Sequence, residues 1–184
     1  IQDLWIRKLL VRISEHGHEI GFHGSYHSYN NRMQVAEEVE RFRQVLREEG
    51  IDQDILGGRQ HYLRWECPTT WDIWDQLGMD YDSTLGFADC VGFRCGTCYE
   101  YPVFDLVERQ SLNLRERPLI VMERSLMSAQ YMHITQEEAC ETIVRLNEIC
   151  RKFSGTFSLL WHNSSLCTED EKKFYCRVIE GLAY

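Results

Sequence analysis

Stretches with helical periodicity alternate with short apolar runs along this chain, and the alternation limits the possible folds more than any other feature. The first helix is predicted to reach His16, with Trp5, Leu9 and Ile13 along its buried face. HEIGFH follows as a predicted strand, and a second helix is predicted over residues 33–49. This alternation is typical of α/β proteins with a parallel sheet or a barrel.

The alternation continues to the C-terminus with one interruption. Strands are predicted within DILGGRQHYLR, LIVMERSL and FSLLWHN and near DYDSTLG, with a short helix after Pro68. Residues 86–104 are rich in Gly, aromatic residues and Cys, and they are predicted to form a long functional loop. We expect residues 1–184 to form a single domain. Two helix starts carry the pattern of a capping box: Thr135 with Glu138, and Thr168 with Glu171.

Charge and composition argue against two classes of partner. The net charge is −9 and the pI is near 5.3, whereas a nucleic-acid-binding groove needs a basic patch. No apolar run reaches the length of about 18 residues that a membrane span requires. No signal peptide opens the chain, which favours a cytoplasmic location. Residue 1 is not Met and already belongs to a predicted helix, so we expect the chain to begin inside a domain.

The eight cysteines are interpreted mostly as reduced, buried thiols, because several fall at core positions of predicted helices or beside aromatic residues. Cys95 and Cys98 match the C-x-x-C pattern of redox and zinc sites. However, no helix is predicted to follow them, and zinc would need further ligands. We therefore expect them to pack within the loop, with a redox or structural zinc role as the alternative.

Three histidines fall at or just after the ends of predicted strands: His23, His61 and His162. In parallel sheets functional side chains collect at the carboxyl ends of strands, so this placement indicates a site there. His27 follows His23 by four residues, a separation that can present two imidazoles to one divalent ion. The alternative is an exposed loop histidine at position 27 and a packed, hydrogen-bonded one at position 23.

Further candidates flank these histidines. Arg59 alternates with His61 along a predicted strand, so it could orient a carboxylate on the same face, or simply form a salt bridge beside a core histidine. His162 ends an apolar strand, as a general acid can, and Trp161 could form an apolar wall or a sugar platform. The alternative there is a packed Trp with a histidine at a strand end. Nearby carboxylates could pair with Arg59 or Arg94, or could belong to a solvated turn: Asp80, Asp82 and Asp89.

Four stretches in this order resemble the polysaccharide deacetylase family, the NodB-like carbohydrate esterases: GHEIGFHGSYHSY, RQHYLRW, DYDSTLGFADCVGFRCGTCYEYPVFDL and LLWHNSSL. They are most similar to a bacterial subgroup associated with surface-polysaccharide genes, and the resemblance covers nearly the whole chain. It implies an α/β fold, a distorted (β/α) barrel of about seven strands. It also implies hydrolysis of acetyl groups, chiefly N-acetyl groups, from a carbohydrate with the help of a divalent metal, commonly zinc.

Carried onto this sequence, the resemblance makes His23 and His27 metal ligands. Arg59 matches the arginine that orients the catalytic base, and His162 matches the general acid. Tyr26, Trp161, Arg94 and Asp89 are the residues expected to bind the sugar.

This sequence departs from the family pattern at two points. In the family, the Asp pair that supplies a metal ligand and the catalytic base lies on a strand before the first helix. That strand is missing from this sequence, so the chain is similar to the C-terminal two-thirds of the catalytic domain. In the subgroup a histidine at the position of His27 is often missing, which makes His61 the alternative second ligand.

The leading hypothesis is a metal-dependent deacetylase or a truncated remnant of one. A non-catalytic carbohydrate-binding or assembly protein on the same fold is the alternative, and an exposed barrel edge would favour homo-oligomers.

Overall fold

The computed structural model describes residues 2–183 and divides them into two compact units. The first unit comprises the chain up to Thr84 together with Tyr101–Glu116, and the second comprises Leu85–Glu100 and the chain from Arg117 onward. The expectation of one domain over residues 1–184 stays a prediction.

A five-stranded sheet organises the first unit, in the order β1-β2-β3-β5-β4. Neighbouring strands are parallel except β4 and β5, which form an antiparallel hairpin. Gly58 lets β1 and β2 approach closely, because a Cβ atom there would meet the carbonyl oxygen of Phe22 at 1.9 Å. The strands are β1 (Phe22–Gly24), β2 (Gly57–Gln60), β3 (Tyr81–Asp82), β4 (Tyr101–Asp105) and β5 (Gln110–Glu116).

Three helices accompany this sheet: α1 (Leu4–Glu15), α2 (Arg32–Glu48) and α3 (Thr69–Gln76). The second predicted helix is confirmed, and its expected inward face is largely buried, with Val35, Val39 and Leu46 in the core.

The buried face predicted for the first helix is partly wrong. Trp5 is 68% exposed and Leu9 is also exposed, whereas Leu10, Val11 and Ile13 pack against a buried cluster. The physical reason is that apolar residues lie on more than one face of this helix, so the sequence pattern does not identify the face that packs.

The β4–β5 hairpin changes the interpretation of the long loop. Residues 101–104, predicted as part of the loop, belong to β4 in the structure. The strand β5 is not predicted from the sequence. Asp105 shapes the connection, since its Oδ1 accepts hydrogen bonds from the backbone N–H groups of Val107 at 2.7 Å and Glu108 at 3.1 Å. The alternating apolar and polar residues of β5 suit a strand with one buried face, but its polar composition conceals this.

The second unit contains two short parallel strands and three helices. Both predicted capping boxes are confirmed, with Thr135 capping through Glu138 and Thr168 through Glu171. The expected inward face of the long helix is buried, from Ala139 to Cys150. The elements are β6 (Val121–Met122), β7 (Leu159–Leu160), α4 (Glu123–Met127), α5 (Gln136–Lys152) and α6 (Glu169–Leu182).

The chain is therefore a mixed α/β protein whose main sheet is mostly parallel, as the alternation predicted. Within residues 2–183, no helix is both long enough and apolar enough to cross a membrane.

Candidate functional site

Two histidines meet at the carboxyl end of the first two strands. His23 lies on β1 in register with Arg59 of β2, and His61 begins a short 3-10 turn directly after β2. The Nε2 atom of His23 is 3.0 Å from the Nδ1 atom of His61, and the rings meet edge to face with centroids 5.1 Å apart. Because β1 and β2 are parallel neighbours, residues at their ends share one edge of the sheet.

The separation of these two nitrogens fits a shared metal ion. Two imidazole nitrogens bound to one tetrahedral Zn²⁺ at about 2.0–2.1 Å lie roughly 3.3 Å apart. The observed 3.0 Å is close to that distance. Within the part of the chain that the structure describes, no third His, Cys, Asp or Glu completes such a group. A metal ion at this place would therefore have these two imidazole nitrogens as its ligands among the described residues.

His27 lies in the turn after β1, where its side chain is exposed. Its ring packs edge to face on Tyr26, with centroids 4.9 Å apart. Ser25 fixes the same turn against α2 by donating from its N–H and its Oγ to the carboxylate of Glu38, at 3.0 and 2.6 Å. Of the two candidate second ligands, His61 is the one that contacts His23 in the structure, and the assignment of either as a ligand stays a prediction.

Arg59 points toward the segment that follows β3. Its Nε donates to the carbonyl oxygen of Ser83 at 2.6 Å, and its Nη2 donates to Ser83 Oγ at 2.9 Å. Burial lowers the pKa of Arg59, and the negative charge of Asp82 opposes that shift. The Arg59 guanidinium therefore binds two oxygen atoms of Ser83 and also interacts electrostatically with the buried carboxylate of Asp82.

Asp82 is fully buried at the end of β3. Its Oδ1 accepts hydrogen bonds from the backbone N–H of Thr84, at 3.0 Å, and from the Thr84 hydroxyl. No hydrogen-bond donor among the described residues reaches its Oδ2. Burial raises the pKa of Asp82 to about 6, although the Thr84 hydrogen bonds and the charge of Arg59 act in the opposite direction. The sequence identifies Asp82 only as one of three carboxylates that could pair with Arg59 or Arg94, and it does not predict the burial of this residue.

A second histidine site lies within the second unit. The Nδ1 atom of His162 is 2.7 and 3.0 Å from the two carboxylate oxygens of Glu123, which is only 2% exposed. The same carboxylate accepts the backbone N–H of His162 at 3.0 Å and the hydroxyl of Ser165 at 2.8 Å. A carboxylate on Nδ1 fixes the ring orientation and leaves Nε2 for proton transfer. Glu123 was missed, although a charged residue ending the apolar run LIVM was a usable signal.

The parallel pairing of β6 with β7 accounts for this contact. Val121 pairs with Leu159 and Met122 with Leu160, so Glu123 and the segment leading to His162 leave the sheet side by side. The pairing was not evident from the sequence, because the two strands are separated by two helices.

The remaining predicted sugar-binding residues lie in different surroundings. Tyr26 is partly exposed, and the guanidinium of Arg64 stacks 4.2 Å above its ring. Trp161 packs against Phe174 and Tyr175 within the second unit, and its role in sugar binding stays a prediction. Arg94 donates to the carbonyl oxygen of Gly86 at 2.8 Å, and the side chain of Asp89 is exposed.

The C-x-x-C cysteines occupy unequal positions. Cys98 is buried in the core of the second unit, whereas Cys95 is half-buried. Cys98 also occupies the space beside Gly155, where a Cβ atom would lie 2.2 Å from its sulfur. Its burial is consistent with a packing role.

The chain matches no protein-family model, and no curated protein sequence or solved structure is significantly similar to it. Function must therefore be argued from the two histidine sites themselves.

Proposed function

We propose that this chain forms all or part of a metal-dependent carbohydrate deacetylase that hydrolyses acetyl groups from a sugar amide. The observation that carries the proposal is the distance of 3.0 Å between His23 Nε2 and His61 Nδ1 at the carboxyl edge of a parallel sheet. Paired imidazoles at such an edge are a common way to hold a divalent cation, most often zinc. The distorted barrel implied by the sequence resemblance is part of this proposal.

In the proposed site His61 takes the place that the family pattern gives to His27. A divalent metal held by His23 and His61 would polarise the acetyl carbonyl and lower the pKa of bound water. Arg59 lies in register with His23, and Ser83 holds its guanidinium. Its proposed role is to orient a carboxylate that acts as the base.

His162, within the second unit, is proposed as a general acid, the role that the sequence resemblance implies. Glu123 holds Nδ1 and leaves Nε2 as the nitrogen able to exchange a proton with a substrate. Because Glu123 is buried and also accepts hydrogen bonds from the backbone N–H of His162 and from Ser165 Oγ, the ring is held in one orientation. Tyr26 is the proposed sugar contact beside the histidine pair, since its ring is exposed and lies near His61.

The second candidate function is a carbohydrate-binding protein without catalysis. It is favoured by the aromatic surface around the pair, where Tyr62 is 75% exposed and its ring lies 5.5 Å from that of Tyr26. In this case sugar binding would not depend on a metal.

Zinc titration by calorimetry, combined with measurement of acetate release from N-acetylated oligosaccharides, tests the proposal. We expect zinc binding that His23→Ala and His61→Ala each weaken by about 10²-fold or more, as expected for loss of a ligand. His27→Ala is the matched control and should leave zinc affinity within about twofold. Sugar binding that is unaffected by a chelator, with no acetate released, would instead support the binding protein. Equal losses in His27→Ala and His61→Ala would contradict the ligand pair.

A further inference from the structure

We propose that Asp82 is a positioning residue: the turn that it closes with Thr84 holds the end of β2, and therefore Arg59 and His61, in the arrangement that the site requires. This inference rests on the proposed function for its chemical purpose, but the positioning itself can be measured without activity.

The turn is built around one carboxylate oxygen. Asp82 Oδ1 accepts from the backbone N–H of Thr84 two residues further on and from the Thr84 hydroxyl, the pattern of an Asx turn. The intervening residue, Ser83, donates its N–H to the carbonyl oxygen of Gly58 at 2.8 Å. The segment after β3 is thereby folded back against β2.

Three consecutive residues of β2 are bound by this turn. Gly58 accepts from Ser83, Arg59 donates twice to Ser83, and the backbone N–H of Gln60 donates to Thr84 Oγ1 at 3.0 Å. The Thr84 hydroxyl can serve both neighbours because it donates its proton to Asp82 and accepts with a lone pair from Gln60. His61 is the next residue along the chain, so its ring starts from a backbone position that the turn fixes.

Gln60 transmits the same constraint to β1. A Cβ atom at Gly24 would lie 2.4 Å from Gln60 Oε1 and 2.8 Å from Ser28 Oγ. Gln60 therefore fills the space beside the residue that directly follows His23. A displacement of Gln60 would disturb both strands that carry the histidine pair.

Because these residues are buried, water cannot easily take over the hydrogen bonds that the turn makes. Asp82 and Thr84 are fully buried, and Gln60 is almost so. When a buried hydrogen-bond partner is removed, the group left behind carries the full cost of desolvation. We therefore expect that removing the Asp82 acceptor shifts the end of β2 and does not merely admit solvent.

The experiment compares Asp82→Ala with Asp82→Asn, which keeps an oxygen able to accept from Thr84. Asp105→Ala is the matched control, since Asp105 is also buried and also accepts two backbone N–H groups, but it lies on β4 at the other edge of the same sheet. The first readout is imidazole ¹⁵N NMR of the metal-free chain, which reports the His23–His61 hydrogen bond. The second is zinc affinity by calorimetry.

We expect Asp82→Ala to abolish the NMR signature of the hydrogen-bonded pair and to weaken zinc binding about 10–100-fold, the loss typical of residues that support metal ligands. Asp82→Asn should keep both the NMR signature and the zinc affinity of the wild type. Asp105→Ala should also keep both, although we expect it to unfold at a lower temperature. If Asp82→Ala does not fold, Thr84→Val tests the same contacts against Thr84→Ser, which keeps the hydroxyl.

An unchanged NMR signature in the Asp82→Ala or Thr84→Val variant would overturn the inference, as would an equal loss in Asp105→Ala. Failure of the proposed function has a different result: the wild-type chain would neither bind zinc nor release acetate, while the NMR signature would still disappear only in the Asp82 and Thr84 variants.

Discussion

The two histidine sites differ in what holds the ring. His162 is bound by the buried carboxylate of Glu123, so its orientation and the nitrogen that carries the proton are fixed by the protein alone. His61 instead faces another imidazole, that of His23, and one of two hydrogen-bonded imidazoles must donate while the other accepts. The His162–Glu123 arrangement is suited to proton transfer. In the proposed site, a metal ion would take the place of the proton between His23 and His61.

The buried carboxylates of the two units differ in a related way. Glu123 accepts hydrogen bonds from His162 and Ser165 and is held by both oxygens. Asp82 accepts through Oδ1, while Oδ2 lacks a donor among residues 2–183. Hydrogen bonds therefore hold the Glu123 carboxylate at both oxygens and the Asp82 carboxylate at one.

Replacing Glu123 should have the largest effect on activity, because it removes the carboxylate that holds the His162 ring. We expect Glu123→Ala to lower the rate of acetate release by about 10²–10⁴-fold, the usual contribution of a positioned acid or base. Glu123→Gln keeps an oxygen for His162 and Ser165 and should lose less. Equal rates in the wild type and Glu123→Ala would remove His162 from the mechanism.

The pH dependence of unfolding tests the raised pKa of Asp82. Because burial raises the pKa of Asp82 to about 6, the folded chain keeps a proton between about pH 4 and pH 6 that the unfolded chain has released. The Asp82 contribution to the free energy of unfolding is therefore complete below about pH 4 and declines as pH rises, by about 3 kcal/mol at neutral pH.

Denaturant titrations at a series of pH values measure this contribution. Asp82 faces Arg59 and lies in register with the buried Glu116, so the variant that isolates it is Asp82→Asn, which removes its titration alone. We expect a flatter profile in Asp82→Asn than in the wild type. Parallel profiles for the two proteins would contradict a raised pKa at Asp82.

Zinc should stabilise the chain through the imidazole pair and not through the His162 site. At a zinc concentration about 100 times the dissociation constant, the free energy of unfolding should increase by about 2.7 kcal/mol. Thermal unfolding should show this gain in the wild type, His27→Ala and Glu123→Gln, but not in His61→Ala. A gain that survives in His61→Ala would place the bound zinc elsewhere.

The smallest expected effect concerns the sugar contact. Tyr26→Ala should raise the KM for an acetylated oligosaccharide about fivefold with little change in kcat, because an aromatic contact contributes about 1 kcal/mol to binding. A fall in kcat at constant KM would show that Tyr26 takes part in the chemistry.

Much of the fold could be predicted because local patterns determine it. The helix at Arg32–Glu48 follows from its apolar periodicity, and both capping boxes follow from residues three positions apart. The β4–β5 hairpin was missed because β5 is polar along its exposed face. The exposure of Trp5 could not be predicted, since it depends on which face of the helix meets the core.

The candidate site was predictable in part, for the same reason. His23, His61 and His162 were identified because each follows an apolar run and strand ends carry function in parallel sheets. The contact between His162 and Glu123 was not identifiable, because it depends on the pairing of β6 with β7 across a long stretch of sequence. The role of Asp82 was hidden because a short motif does not reveal burial.

X-ray absorption spectroscopy of the zinc-loaded chain shows which histidines bind the metal. We expect two imidazole nitrogens at about 2.0–2.1 Å from the metal. This signal should be halved in His61→Ala and unchanged in His27→Ala. Zinc with no imidazole neighbours, or a signal lost in His27→Ala and retained in His61→Ala, would contradict the claim that His23 and His61 form the metal-binding pair.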